Sequence, residues 1–204
     1  MMTKEQIKFS AKTLQYFVDI LSAEISEKNL SVVLTKSGLP SEWAKSENLN
    51  QLDGSAATEV YAGIQQAIRA YYGRGARGIL QRIGSKLWDT LLEKAPFKEK
   101  AQAKLMRGLP EIARRKSALN MLVRLLGAKE NDMTVHTLDL NLMLVDNISP
   151  STYNQKDDEP TCHVTHGLIR EAISWATAQD PFIEEIECKA NGGNSCEFKI
   201  TFGE

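Results

Sequence analysis

The cysteines of this chain place the strongest constraint on its fold, because all of them lie in its last third. Cys162, Cys188 and Cys196 are the only cysteines among 204 residues. Thiolates from separated segments can hold one zinc ion in a tetrahedral site and so tie elements of the fold together. The competing interpretation is that these thiols are ordinary small buried side chains. An odd cysteine count favours ligation or free thiols over a disulfide framework.

A fourth metal ligand could come from either of two residues near the cysteines. His166 follows Cys162 by one helical turn, so the two share a face if this segment is helical. Glu185 precedes Cys188 by three residues, and residues three apart point to opposite faces of a regular strand. Glu185 can therefore join Cys188 only if the strand begins after Glu185 or carries a bulge. Spacing alone leaves both candidates open.

The composition is that of a soluble globular protein, with 42% hydrophobic and 25% charged residues. No stretch approaches the apolar length that a membrane-spanning helix needs, and residues 1–12 lack the apolar core and cleavage site of a signal peptide. We therefore expect a cytoplasmic protein without a transmembrane segment.

The net charge of −1 hides a strong asymmetry along the chain. Residues 69–129 carry fifteen basic and four acidic side chains, whereas residues 130–204 carry four basic and fourteen acidic ones. A basic segment could bind nucleic acid or an anionic membrane. Nucleic acid is disfavoured, because aromatic residues for base stacking do not recur among these lysines and arginines. We favour mutual neutralisation of the two parts, within one chain or across a dimer.

The N-terminal part predicts one long helix followed by a short strand. Residues 4–28 have apolar side chains at helical spacing, and Leu30–Thr35 is a β-branched run typical of a strand, ended by Gly38-Leu39-Pro40. The apolar positions of the helix are Ile7, Leu14, Phe17, Val18, Leu21 and Ile25.

The pattern of Ser55–Leu126 is helical again. Breaks near Gly73–Gly78 and Ala95–Pro96 divide it into about three helices. The glycine-rich break does not predict a phosphate-binding loop, because no Gly-Lys-Ser/Thr follows it and no buried strand precedes it.

Met133–Ile148 alternates between apolar and polar residues, which predicts one half-buried strand with His136 in register with its leucines. His136 is either a satisfied core residue or a polar contact in an apolar ligand pocket. In the second case the pocket is lined by the leucine face of the strand. Trp88 and Trp175 are then candidate walls.

The last part of the chain predicts a loop, a helix and a hairpin. Asn147–Pro160 is polar, residues 161–178 follow as a helix, and Phe182–Lys189 and Ser195–Phe202 alternate as two strands. The connection Ala190–Asn194 is rich in residues that tolerate a positive φ. The hairpin sets Cys188 and Cys196 near each other, so a metal would tie it to the start of the helix.

These residues also resemble those of a known family. The runs Cys162, Gly167-Leu168-Ile169-x-Glu171-Ala172-x-x-Trp175, Glu185-x-x-Cys188-x-Ala190-x-Gly192 and Ser195-Cys196-Glu197-Phe198 are similar to those of the 4-vinyl reductase domain, also called the hydrocarbon-binding domain. Upstream, Gly38-Leu39-Pro40 and Tyr72-Gly73-Arg74-Gly75-Ala76-Arg77-Gly78 look like the stand-alone prokaryotic members.

The resemblance implies an α/β (α+β) fold, in which a small antiparallel sheet is flanked by helices. This is the architecture of phenol-sensor domains and of TRAPP vesicle-tethering subunits. It implies a domain at residues 30–204, preceded by a helical extension at residues 1–29. In the phenol sensors three cysteines and a glutamate hold a structural zinc. The matching residues here are Cys162, Glu185, Cys188 and Cys196, so the resemblance favours Glu185 over His166.

The function implied is binding or sensing of a small hydrophobic or aromatic ligand. No catalytic residue is identified, since the chain has neither a Rossmann glycine fingerprint nor a cluster of proton donors. An enzyme or substrate carrier of tetrapyrrole metabolism is the alternative, as the family name suggests. A dimeric scaffold without a ligand is a third interpretation.

We also expect a homodimer, for two reasons. The apolar stripe of the N-terminal helix precedes the part that resembles the family, so it could require a surface from a second copy. The basic middle of one chain could face the acidic end of the other.

Overall fold

The computed structural model describes residues 8–129 and 131–203, which divide into two compact units. The first unit comprises the described residues up to Ile79 together with Pro150–Gln155, and the second comprises Leu80–Ser149 and the described residues from Lys156 onward. The division predicted from the sequence, between residues 29 and 30, stays a prediction. The predicted start of the N-terminal helix, with Ile7, lies outside the described residues.

The first unit is helical. Its described part contains α1 (Ala11–Ile25), α2 (Glu27–Lys36) and α3 (Gly54–Tyr72), with 3-10 turns at Ser41–Ala44 and Ser46–Leu49. A further helix, α4 (Gly75–Glu93), begins here and continues into the second unit. Asp53 begins α3, because its carboxylate accepts hydrogen bonds from the backbone of Ser55 and Ala56 at 2.9 Å each.

The strand predicted at Leu30–Thr35 is wrong, because these residues belong to α2. Ser26 interrupts the predicted long helix with a φ of 69°, and its hydroxyl caps α2 by accepting from Asn29 N. Leu30, Val33 and Leu34 are fully buried, and their spacing of three and four residues is that of one helix face. Helical burial outweighs the weak β preference of Val32 and Val33.

The apolar stripe of α1 is covered within the first unit. Leu14, Phe17 and Leu21 have no exposed surface, and α1 packs on α2, α3 and the 3-10 turns. The Phe17 ring meets Tyr61 edge to face, with 4.9 Å between centroids, and Phe9 stacks on the same tyrosine at 4.2 Å. The stripe therefore supplies no reason for a dimer, contrary to the first argument from the sequence.

The described part of the second unit combines helices with one sheet. It contains the rest of α4, α5 (Phe97–Met106), α6 (Glu111–Leu125) and α7 (His163–Thr177). The breaks predicted near Gly73 and Pro96 are present, and a further break at 107–110 separates α5 from α6. No helix in the described ranges is long and apolar enough to cross a membrane.

The sheet has four antiparallel strands in the order β1-β2-β4-β3. The strands are β1 (Met133–Leu138), β2 (Asn141–Asp146), β3 (Phe182–Glu187) and β4 (Cys196–Thr201). α6 packs on α7 and β1, and α7 packs on β3. The predicted fold class, a small antiparallel sheet flanked by helices, is confirmed.

The single strand predicted at Met133–Ile148 is in fact the β1–β2 hairpin. A two-residue turn at Asp139 and Leu140 reverses the chain, with Asp139 at a φ of 53°. His136 is paired with Met143, whereas the buried Leu142 and Leu144 are paired with Thr137 and Val135. Paired residues share a face of the sheet, so His136 lies on the face opposite the buried leucines.

Helices α4 and α7 cross in backbone contact at a pair of glycines. A Cβ atom at Gly84 would lie 2.1 Å from the Val164 carbonyl oxygen, and one at Gly167 would lie 2.0 Å from that of Gln81. Only glycine allows this approach. One helical turn beyond Gly84, Trp88 meets Trp175 edge to face with 5.7 Å between centroids.

Candidate metal centre

The three cysteines and Glu185 meet in the second unit, each placed by a different element. Cys162 caps the start of α7, Glu185 lies in β3, Cys188 follows β3 directly, and Cys196 begins β4. One ligand atom from each of these residues lies within 4.8 Å of all the others. All three cysteine side chains are fully buried.

The spacing of the sulfur atoms fits a tetrahedral metal site. Cys162 Sγ lies 3.3 Å from Cys196 Sγ and 4.0 Å from Cys188 Sγ, and 3.9 Å separates the last two. Zinc–sulfur bonds of about 2.3 Å at tetrahedral angles put sulfurs roughly 3.8 Å apart. A disulfide would need about 2.0 Å, and all three thiols are free.

Glu185 reaches the thiols because β3 carries an irregularity. Glu185 pairs with Phe198 and Glu187 with Glu197, so Ile186 is left out of the register. The side chain of Ile186 is 48% exposed. A bulge changes the parity of a strand by one residue, which brings Glu185 and Cys188 to one side. The condition that the sequence set for Glu185 is met.

The carboxylate of Glu185 has one oxygen engaged and one to spare. Oε2 accepts a hydrogen bond from Cys162 N at 3.1 Å. Oε1 is buried and has no hydrogen-bond partner among the described residues. A buried acceptor without a partner is costly, and a cation among the sulfurs would satisfy it. His166 lies outside this group, with Nε2 3.3 Å from the Ile183 carbonyl oxygen.

A second layer of polar groups surrounds the sulfurs. Ser149 Oγ lies 3.1 Å from Cys196 Sγ and 3.5 Å from Cys162 Sγ, and Lys189 N donates to Cys196 Sγ at 3.4 Å. Asp146 holds the turn that carries Ser149, because its Oδ1 accepts from Ile148 N and Ser149 N. Sequence reasoning missed Asp146 and Ser149. An Asp followed three residues later by Ser at a strand end is a signal for such a turn.

With no cation bound, the cluster favours one thiolate. Hydrogen bonds from Cys162 and Cys196 lower the pKa of Cys188 far below its usual value. The hydrogen bonds to Cys188 and Cys196, together with burial, raise the pKa of Cys162. The Cys162 hydrogen bond lowers the pKa of Cys196, but the contact with Cys188 and burial outweigh it and raise that pKa to about 12. Burial, and then the charge on Cys188, raise the pKa of Glu185 to about 8.

The residues predicted to line a ligand pocket are placed differently from one another. Trp88 is fully buried and touches Trp175, and Trp88 Nε1 has no hydrogen-bond partner among the described residues. His136 is exposed, with Nε2 2.9 Å from Thr134 Oγ1. Its predicted pocket role was based on a shared face with the leucines, and the hairpin removes that basis.

A family model matches the part of the chain that carries the cluster. Residues 145–202 match the 4-vinyl reductase domain. The resemblance stated from the sequence is thereby confirmed over these residues, which we call the reductase-like segment. All four candidate ligands, and also Asp146 and Ser149, lie inside it. No curated protein matches the sequence significantly.

Solved structures match a larger share of the chain. A variant H-NOX protein from K. algicida matches with a TM-score of 0.59 at 14% identity, covering 95% of this chain and 96% of its own. An H-NOX protein from S. oneidensis matches with a TM-score of 0.56 at 14% identity, covering 94% and 99%. The phenol-responsive sensory domain of the transcription activator PoxR, solved with phenol, matches with a TM-score of 0.52 at 16% identity, covering 71% and 74%. At these identities the likeness is one of fold.

Proposed function

We propose that this protein binds a small apolar or aromatic molecule, and that a structural zinc ion stabilises its reductase-like segment. The buried group of three thiols and one carboxylate carries the proposal. It joins α7 to β3 and β4, the elements that the family match covers. The fold shared with the phenol-responsive sensory domain of PoxR supports the class of ligand.

The ligand set suits a structural zinc ion better than a catalytic one. Four protein ligands fill a tetrahedral site and leave no position for water or substrate. Zinc with three thiolates and a carboxylate carries a net negative charge. The backbone N–H groups of Lys189 and Cys162 point at Cys196 Sγ and Glu185 Oε2, where they would offset part of it.

Elemental analysis of protein purified without chelators tests the metal. We expect one zinc per chain, lost in Cys188→Ser and strongly reduced in Glu185→Gln. Both variants should also unfold at lower temperature, because structural zinc contributes to folding free energy. His166→Ala is the matched control and should keep its zinc. Far less than one equivalent of metal in the wild type would refute the site, and metal loss in His166→Ala but not in Glu185→Gln would refute the ligand assignment.

The aromatic pair offers a binding place for the organic ligand. Trp88 and Trp175 present two rings edge to face, and the buried Trp88 Nε1 lacks an acceptor among the described residues. A ligand with an aromatic body and one oxygen would pack on the rings and accept from Nε1. This chemistry is that of a phenol rather than of a plain hydrocarbon.

Thermal unfolding and native mass spectrometry with phenol and toluene test this assignment. Phenol should raise the Tm of the wild type, since a ligand that binds only the folded state stabilises it. Trp88→Phe keeps an aromatic ring but removes the donor, so it should weaken binding of phenol more than that of toluene. Trp43→Phe, in the first unit, should bind phenol as the wild type does. Unchanged melting with both compounds, with no adduct in the mass spectrum, would refute the ligand class.

A tetrapyrrole is the second candidate ligand, because another match of comparable quality concerns heme distortion in the H-NOX family. The histidines do not favour it. His136 contacts Thr134, His166 contacts Ile183, and His163 also has a partner within the chain. A heme iron held by a protein nitrogen requires a ring nitrogen free for it. An absorbance spectrum of the purified protein decides the matter, since a bound tetrapyrrole gives strong visible bands.

A further inference from the structure

Helix α5 turns an apolar stripe outward. Phe97 and Leu105 are 87% and 76% exposed, and both lie on one face with Ala101 at a spacing of four residues. The opposite face, with Ala103 and Met106, is buried. A helix that buries one apolar face normally shows a polar one to water. The outer stripe of α5 is therefore not accounted for by the packing of its own unit.

The exposed apolar surface continues beyond the helix. Leu109 is 42% exposed in the connection to α6, and Ile112 is 52% exposed at the start of α6. We call the exposed side chains of residues 97–112 the basic shelf. Apolar residues exposed together, unlike single ones, commonly mark an interaction site.

The shelf presents positive charge alone. Lys98, Lys100, Lys104 and Arg107 are exposed, and none of them makes an ion pair with another described residue. The acidic side chains of the same stretch are turned to arginines of α6: Glu99 lies 3.2 Å from Arg124, and Glu111 pairs with Arg115. Protruding phenylalanine and leucine, flanked by unpaired cations, characterise segments that lie in a membrane interface.

We propose that the basic shelf binds the surface of anionic phospholipid membranes. Phe97 and Leu105 enter the boundary between headgroups and acyl chains, while the lysines stay at the level of the phosphates. A second copy of the chain is a weaker fit. The outward face of β3 offers exposed Phe182 and Ile186 but only Glu184 as an exposed acid without an ion pair in the described chain. One carboxylate does not balance four cations.

The proposal does not depend on the metal or on the organic ligand. It does add to the proposed function, because apolar molecules partition into lipid. A binding protein that rests on a membrane meets its ligand where the ligand is concentrated.

Vesicle sedimentation with the full chain tests the shelf. The wild type should bind mixed phosphatidylcholine–phosphatidylglycerol vesicles, bind pure phosphatidylcholine much less, and dissociate as salt is raised. A variant with Lys98→Gln, Lys100→Gln and Lys104→Gln should bind anionic vesicles more weakly, by roughly fivefold for each lysine removed. A variant with Phe97→Ser and Leu105→Ser should also lose binding.

Two control variants make the same chemical changes elsewhere. Lys28→Gln, Lys45→Gln and Lys199→Gln together change the net charge equally, and Phe182→Ser removes an aromatic ring that is 68% exposed on β3. Both should bind anionic vesicles as the wild type does, and circular dichroism should show all four variants folded. Equal weakening in the controls, or equal binding to neutral vesicles, would overturn the proposal. A shelf variant that only converts a dimer to a monomer in light scattering would assign the shelf to a second copy instead.

Discussion

At the scale of single residues, Cys162, Glu185, Cys188 and Cys196 differ in how tightly they hold their protons. Cys188 has a lowered pKa and is ionised, whereas the pKa values of Cys162 and Cys196 are raised. Glu185, with a pKa of about 8, is mostly protonated at neutral pH. Any metal that takes all four as anions must therefore displace protons from three of them.

Metal uptake should consequently release about three protons per ion at neutral pH, and affinity should rise with pH. The sign follows from competition, since acidification refills the thiols and the carboxyl and so expels the metal. Titrating zinc into reduced, metal-free protein in weakly buffered solution, with a pH indicator, measures the release. Cys188→Ser serves as the control and should show little uptake. A release of one proton or fewer would contradict the protonation pattern.

At the scale of elements, the contact between α4 and α7 depends on two glycines. Gly167→Ala would place a methyl group 2.0 Å from a backbone oxygen of α4, and backbone cannot give way as a flexible side chain does. We expect the free energy of unfolding to fall by about 3 kcal/mol or more. Gly75→Ala, whose added methyl group meets nothing within 4 Å, should be neutral or slightly stabilising. Chemical denaturation of both variants checks this. Equal stability would mean that the helices separate easily.

The same scale shows which features the sequence could predict. The β3–β4 hairpin and the grouping of the thiols were predictable, because alternation and a glycine-rich turn determine them locally. The β1–β2 hairpin was not, since a two-residue turn leaves the alternation of apolar and polar positions unbroken. Spacing named Glu185 as a possible ligand, but the bulge at Ile186 depends on pairing with β4. Pairing between strands is a property of the folded chain.

At the scale of the whole molecule, the buried stripe of α1 separates folding from association. Phe17 has no exposed surface, so Phe17→Ala should lower the free energy of unfolding by about 3–5 kcal/mol through the cavity it leaves. This loss should not depend on protein concentration, as a dimer contact would require. Denaturation at two concentrations about a hundredfold apart measures it, with Tyr16→Ala as the half-buried control. A strong concentration dependence would return α1 to a dimer interface. The homodimer itself stays a prediction.

The order of strands in the sheet also bears on how the protein is made. β4 pairs with both β2 and β3, yet it follows both in the chain, and ribosomes deliver the N-terminal part first. A nascent chain that has emerged as far as Gly193 exposes the unpaired edges of two strands and holds every candidate ligand except Cys196. Unpaired edges invite wrong partners. The time between emergence of β2 and of β4 is therefore the interval in which a chaperone has most to protect.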